Sequence, residues 1–115
     1  MKIKLYETLQ KIFRRNRNNN EKNIDYENAK TILKNDKNAI LVDVRSPQEY
    51  KEVHLDGSIN IPLYDLERNT EKINKQNTII LYCQSGNRSN KALEILEEQG
   101  CTSIYQIEGG LDNIK

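Results

Sequence analysis

Tryptophan is absent, phenylalanine occurs once, and aromatic residues make up 6% of the 115 positions. A platform on which the bases of a single strand could stack is therefore not expected. Charge of one sign is also lacking. Eighteen lysines and arginines against 17 aspartates and glutamates leave a formal net charge of +1, so no overall field marks a nucleic-acid binder. Apolar runs such as Ala39–Val42 fall far short of a bilayer crossing. Met1–Phe13 mixes polar and apolar residues without the continuous apolar stretch of a secretory signal. A cytoplasmic, reducing location is the expectation. The two cysteines, Cys83 and Cys101, could pair only once, and in such a compartment a thiol is free, catalytic or buried.

What is present divides into an extension and one domain, a division expected at residues 1–22 and 23–115. In the extension, Leu5, Leu9, Ile12 and Phe13 form a one-sided helical stripe, followed by Arg14, Arg15 and Arg17 and then Asn18–Asn20, a run that breaks helices. It is expected to dock on the domain or fray. It is short and mixed for a helix lying on a membrane surface.

Beyond it, helical and strand patterns alternate. Tyr26–Leu33 reads as a helix with Ala29, Ile32 and Leu33 on one face, and Ala39–Val44 as a strand buried on both sides. Ser46–Pro47 with Glu49 forms a capping box that starts a short helix. Ser58–Ile61 is a short strand stopped by Pro62, and Leu63–Leu66 begins another helical stretch. Thr78–Tyr82 is the second clear buried strand. Asn87–Gln99 is the clearest helix, ended by Gly100, and Ser103–Ile107 is a further strand followed by a turn at Gly109–Gly110. Such alternation implies crossover connections and a mainly parallel sheet, whose ligands bind beyond the carboxyl ends of the strands. Of the segments so placed, the one after Tyr82 carries the most chemistry.

There Cys83 follows a strand and precedes a helix, in the run Cys83–Gln84–Ser85–Gly86–Asn87–Arg88–Ser89. The helix N-terminus presents free N–H groups and partial positive charge, and Arg88 adds a full one. Both favour the thiolate, the reactive form. Gly86 lets the backbone curl so that successive N–H groups face inward, as in an anion nest.

Asp43–Val44–Arg45, Val53–His54–Leu55–Asp56–Gly57–Ser58–Ile59–Asn60–Ile61–Pro62, the Cys83–Ser89 loop and Glu108–Gly109–Gly110 occur in this order over roughly residues 24–114. Together they resemble the signature of rhodanese domains. The resemblance implies an α/β fold with a mainly parallel five-stranded sheet flanked by helices on both faces. It also implies sulfur transfer through a persulfide on Cys83, from a donor such as thiosulfate or a persulfide to cyanide or a thiol, with no metal or organic cofactor. Related phosphatases and arsenate reductases place five residues between cysteine and arginine. Here there are four, a smaller cradle that argues for sulfur rather than a tetrahedral oxyanion.

Within this reading Cys83 is the nucleophile, and Arg88 attracts an anionic donor. Gln84, Ser85, Gly86 and Asn87 mainly supply backbone N–H groups. Ser89 either donates its hydroxyl to sulfur or caps the helix. Asp43 and Arg45 brace the site, and Arg45 and Glu49, four apart, could pair. His54 is expected to pack rather than act as a base, because transfer to a thiolate needs none. Cys101 is expected to be buried as a small hydrophobe, the other reading being a resolving thiol. Val53 and Asp56 depart from the family's usual glycine and proline, and Ile114 falls where a tryptophan is usual. The extension could supply the missing cover. Two other functions share the fold: a non-catalytic binding module, and a carrier loaded by a protein donor.

Overall fold

The computed structural model describes residues 20–114. The stripe from Leu5 to Phe13, the basic run after it and the cover expected of them lie outside the described residues. No described helix is long and apolar enough to cross a membrane.

Five strands, β1 (Asn23–Ile24), β2 (Ile40–Asp43), β3 (Ser58–Asn60), β4 (Ile79–Tyr82) and β5 (Ile104–Ile107), form one parallel sheet in the order β1-β5-β4-β2-β3. Among the described residues three α-helices accompany them: α1 (Tyr26–Asn35), α2 (Pro47–Glu52) and α3 (Asn87–Glu98). β4 lies at the centre and every one of its residues is buried. Side chains alternate across a strand, and β4 uses both faces. Ile79 and Leu81, with Cys83 just beyond, pack with Ala92, Leu93 and Leu96 of α3. Ile80 and Tyr82 pack on the other side with Ala29 of α1 and Ile107 of β5. Helices therefore cover both faces.

Local signals set the helix boundaries. The Asp25 carboxylate accepts the Asn28 amide at 2.7 Å to start α1. Ser46 and Glu49 make the expected capping box on α2. At the end of α3, Gly100 has φ +95°, its N–H donates to Glu97 O, and the Cys101 N–H donates to Leu96 O at 3.0 Å. That pair of bonds is a Schellman motif.

Two elements differ from expectation. β1 has only two residues, Asn23 and Ile24, paired with Gln106 and Ile107, and so short a strand has no period to read. The helical stretch expected from Leu63 is a single 3-10 turn, Leu63–Asp65, followed by another at Thr70–Lys72. Asparagine chemistry breaks the run: Asn69 donates its side-chain amide to Asp65 O, and Asn74 accepts from the Gln76 amide. Leu66 and Ile73 still anchor this connection in the core beneath α3.

Candidate active site

The loop after β4 closes around one sulfur. Cys83 is 1% exposed. Its Sγ accepts the Gly86 N–H at 3.1 Å and the Ser89 N–H at 3.3 Å, and as a thiol it donates to Ser89 Oγ at 3.4 Å. Gly86 is the N-cap of α3, with φ +101° and no side chain to cap with. The sulfur therefore takes the third-residue amide that a capping serine would otherwise satisfy. A thiolate or persulfide anion would accept from these same donors.

The turn from Gly109 to Asn113 holds the loop from behind. Leu111 N–H donates to Cys83 O at 3.0 Å, and Asp112 N–H donates to Gln84 O at 2.9 Å. This close approach requires glycine at 110, where φ is +61° and a Cβ would stand 2.3 Å from Cys83 O.

The two arginines differ from their expected arrangement. Arg45 does not pair with Glu49. Its guanidinium is 2% exposed and folds back on Asp43, with Nη2 2.7 Å from Oδ2 and Nε 3.1 Å from both carboxylate oxygens. It also donates to Val53 O and to Gln84 Oε1. Burial works against the charge on Arg45, but the bonds and charge of Asp43 outweigh it and raise the guanidinium above its ordinary value. Glu49 instead takes Arg88, with Nη1 to Oε1 at 2.7 Å and Nη2 to Oε2 at 3.0 Å. The bond from Arg88 holds Glu49 down at about 2; burial opposes this, and the Ser46 amide and hydroxyl assist. Arg88 is raised chiefly by that bond against burial, and it also feels the charges of Cys83 and Asp43. The residue distance explains the altered pairing: 39 positions separate Glu49 and Arg88, and only the packing of the fold brings them together.

A model of the rhodanese-like domain matches residues 25–115. The chain belongs to the rhodanese-like family. Thiosulfate sulfurtransferase PspE of Escherichia coli is 40% identical over 75 residues, which cover 64% of this chain and 71% of PspE. The uncharacterized protein YqhL of Bacillus subtilis is 42% identical over 72 residues, 63% of this chain and 57% of YqhL, so the match spans little more than half of that relative. The crystal structure of a rhodanese-like domain protein from Staphylococcus aureus superposes with a TM-score of 0.72 at 30% identity, over 79% of this chain and 88% of that one. The family thus includes sulfurtransferases, and its fold is the one described above.

In this rhodanese domain the remaining expected site residues divide clearly. Ser85 and Asn87 are exposed on the loop's outer side. There, with Asn23, Asn90, Gln106 and Glu108, they line an open polar depression of about 230 Å³. The Gln84 side chain does more than its backbone: it bridges Arg45 and Asp112, donating to Asp112 Oδ1 at 2.6 Å. The Ser89 hydroxyl donates to Gln106 Oε1 at 2.7 Å and to Gly86 O at 3.2 Å, so its oxygen presents a lone pair to Cys83. Exposed His54 stacks on Tyr50 with ring centroids 3.8 Å apart. Cys101 is buried, and burial pushes its thiol up.

Gln106 was not legible as a site residue. It is buried, accepts from Ser89 and donates to Asn90 Oδ1 at 2.9 Å. Its signal was a lone amide in the apolar strand Ile104–Ile107. Asn60 was missed too, and it donates to the carbonyls of Asp43 and Arg45, fixing the end of β2.

Proposed function

We propose that the protein is a sulfurtransferase that carries sulfane sulfur as a persulfide on Cys83. The observation that carries this reading is the sulfur at the N-terminal end of α3, within 3.1 and 3.3 Å of two backbone N–H donors. Such preorganised donors stabilise negative charge on sulfur with little reorganisation. In the first step the Cys83 thiolate attacks the outer sulfur of a donor such as thiosulfate. An Sγ–S bond forms, the donor S–S bond breaks, and sulfite leaves with the electron pair. In the second step a thiol or cyanide attacks the outer sulfur of the persulfide, and Cys83 leaves as thiolate. Neither step needs a protein base or a cofactor.

Gly86 and Ser89 hold the sulfur, Gln84, Ser85 and Asn87 shape the rim, and Asp43, Arg45 and Gly110 keep the loop in place. With Cys83 1% exposed, the donor has to present its sulfane sulfur as a terminal atom. Two free thiols suit a reducing cytoplasmic setting. The test is the intact mass of the protein after thiosulfate, before and after cyanide. The expected result is one added sulfur atom that cyanide removes and that Cys83→Ser never acquires. No added sulfur from thiosulfate or from a small persulfide would leave the chain as a binding module or a carrier loaded by a protein donor.

A further inference from the structure

Both arginines at this site are already matched by carboxylates. Arg45 is buried against Asp43, Val53 O and Gln84. Arg88, beside the cysteine loop, is held in a two-bond fork by Glu49. Glu49 is itself fixed, because its Oε1 also accepts the Ser46 N–H at 3.2 Å and the Ser46 hydroxyl at 3.0 Å. Swinging the carboxylate aside would break the capping box of α2 as well as the fork. A dianion approaching Cys83 therefore meets an arginine whose charge is already satisfied and a carboxylate that repels it.

We propose that Glu49 is a charge filter: by holding Arg88 it biases the site toward sulfane donors with one negative charge and against dianions such as thiosulfate. The inference rests on the sulfurtransferase reading and specifies its substrate class. Glu49 acts through Arg88 and is a positioning residue.

Thiosulfate and methanethiosulfonate form a matched pair of probes. In each, the Cys83 thiolate attacks the terminal sulfur, an Sγ–S bond forms and one S–S bond breaks. The leaving group takes the electron pair, as dianionic sulfite from thiosulfate and as monoanionic methanesulfinate from methanethiosulfonate. Glu49→Gln removes the charge while the amide oxygen can still accept from Ser46.

The experiment measures kcat/KM for both donors with cyanide as acceptor, at low ionic strength. In Glu49→Gln the ratio of thiosulfate to methanethiosulfonate should rise about fivefold, the worth of a partly exposed ion pair, mainly through KM for thiosulfate. Glu49→Gln combined with Arg88→Met should lose that gain. A ratio unchanged by Glu49→Gln, or equal losses for both donors, would overturn the filter and leave Glu49 a structural cap.

If the variant does not fold, the wild type still decides. Scaled to their reactivity toward free cysteine thiolate, the donors should show preference for methanethiosulfonate, and a preference for thiosulfate would overturn the proposal. Failure of the two readings is distinguishable: loading by both donors with no charge preference defeats only the filter, whereas loading by neither defeats sulfur transfer from small donors, and the filter with it.

Discussion

Cys83 and Cys101 belong to the same apolar cluster and lie at opposite ends of α3. The helix has 12 residues, and at about 1.5 Å each its ends are about 18 Å apart. At its N-terminal end Cys83 receives two N–H groups. At its C-terminal end Cys101 follows the Schellman glycine, where helix carbonyls gather, and burial raises its thiol. Burial is common to both, so it does not set the two thiols apart. The direction of the helix does. The separation also removes the resolving-thiol reading of Cys101, since a disulfide needs Cα atoms within about 7 Å.

The contrast can be broken most severely at the thiols themselves. Cys83→Ser should abolish sulfur loading. Cys101→Ala should retain it and cost about 1 kcal/mol in denaturant unfolding, as a small cavity does. Next in size is Gly110→Ala, which drives a Cβ into Cys83 O and Gln84 O at a positive φ. It should cost about 3 kcal/mol and reduce sulfur loading with the same loop. Nothing comparable is expected of Gly100→Ala at the other end of the helix, where a Cβ meets no atom within 4 Å and only the φ of +95° is strained.

A smaller effect is expected of Gln106→Leu, which removes one of the two acceptors of the Ser89 hydroxyl, leaving Gly86 O, and takes from Asn90 its donor. About 1–2 kcal/mol should be lost in unfolding. Iodoacetamide labelling of Cys83 should slow while that of Cys101 stays unchanged.

The smallest effect concerns pH. Glu49, held at about 2 against an ordinary 4.5, contributes stability that is complete above the ordinary value and is lost as pH falls from there toward 2. Glu49→Gln should flatten that part of an acid-unfolding curve. The raised Cys101 thiol acts with the opposite sign. Its contribution is present below the ordinary thiol value of 9.0 and is lost as pH rises through the folded one, so Cys101→Ala should flatten the alkaline side.

The sequence carried what depends on short-range order. Cys83 was legible because a β-branched run, a glycine and a helical period surround it within a few residues. The capping box at Ser46 and the stop at Gly100 were legible for the same reason. What was missed depends on which of several possible partners the fold selects. Arg45 and Glu49 have the right spacing to pair, yet Asp43 lies closer to Arg45 in the folded strand end, and α2 turns Glu49 toward Arg88. Gln106 joins the site only because β5 lies next to β4. β1 is a strand because Gln106 and Ile107 pair with it, not because of any pattern of its own.

In the proposed transfer the sulfur at the N-terminal end of α3, and not the one at its C-terminal end, carries the transferred atom. Peptide mass mapping after methanethiosulfonate treatment and alkylation tests it most directly. One extra sulfur on the peptide containing Cys83, with Cys101 unmodified, is the predicted result. Extra sulfur on Cys101, or on both cysteines equally, would contradict it.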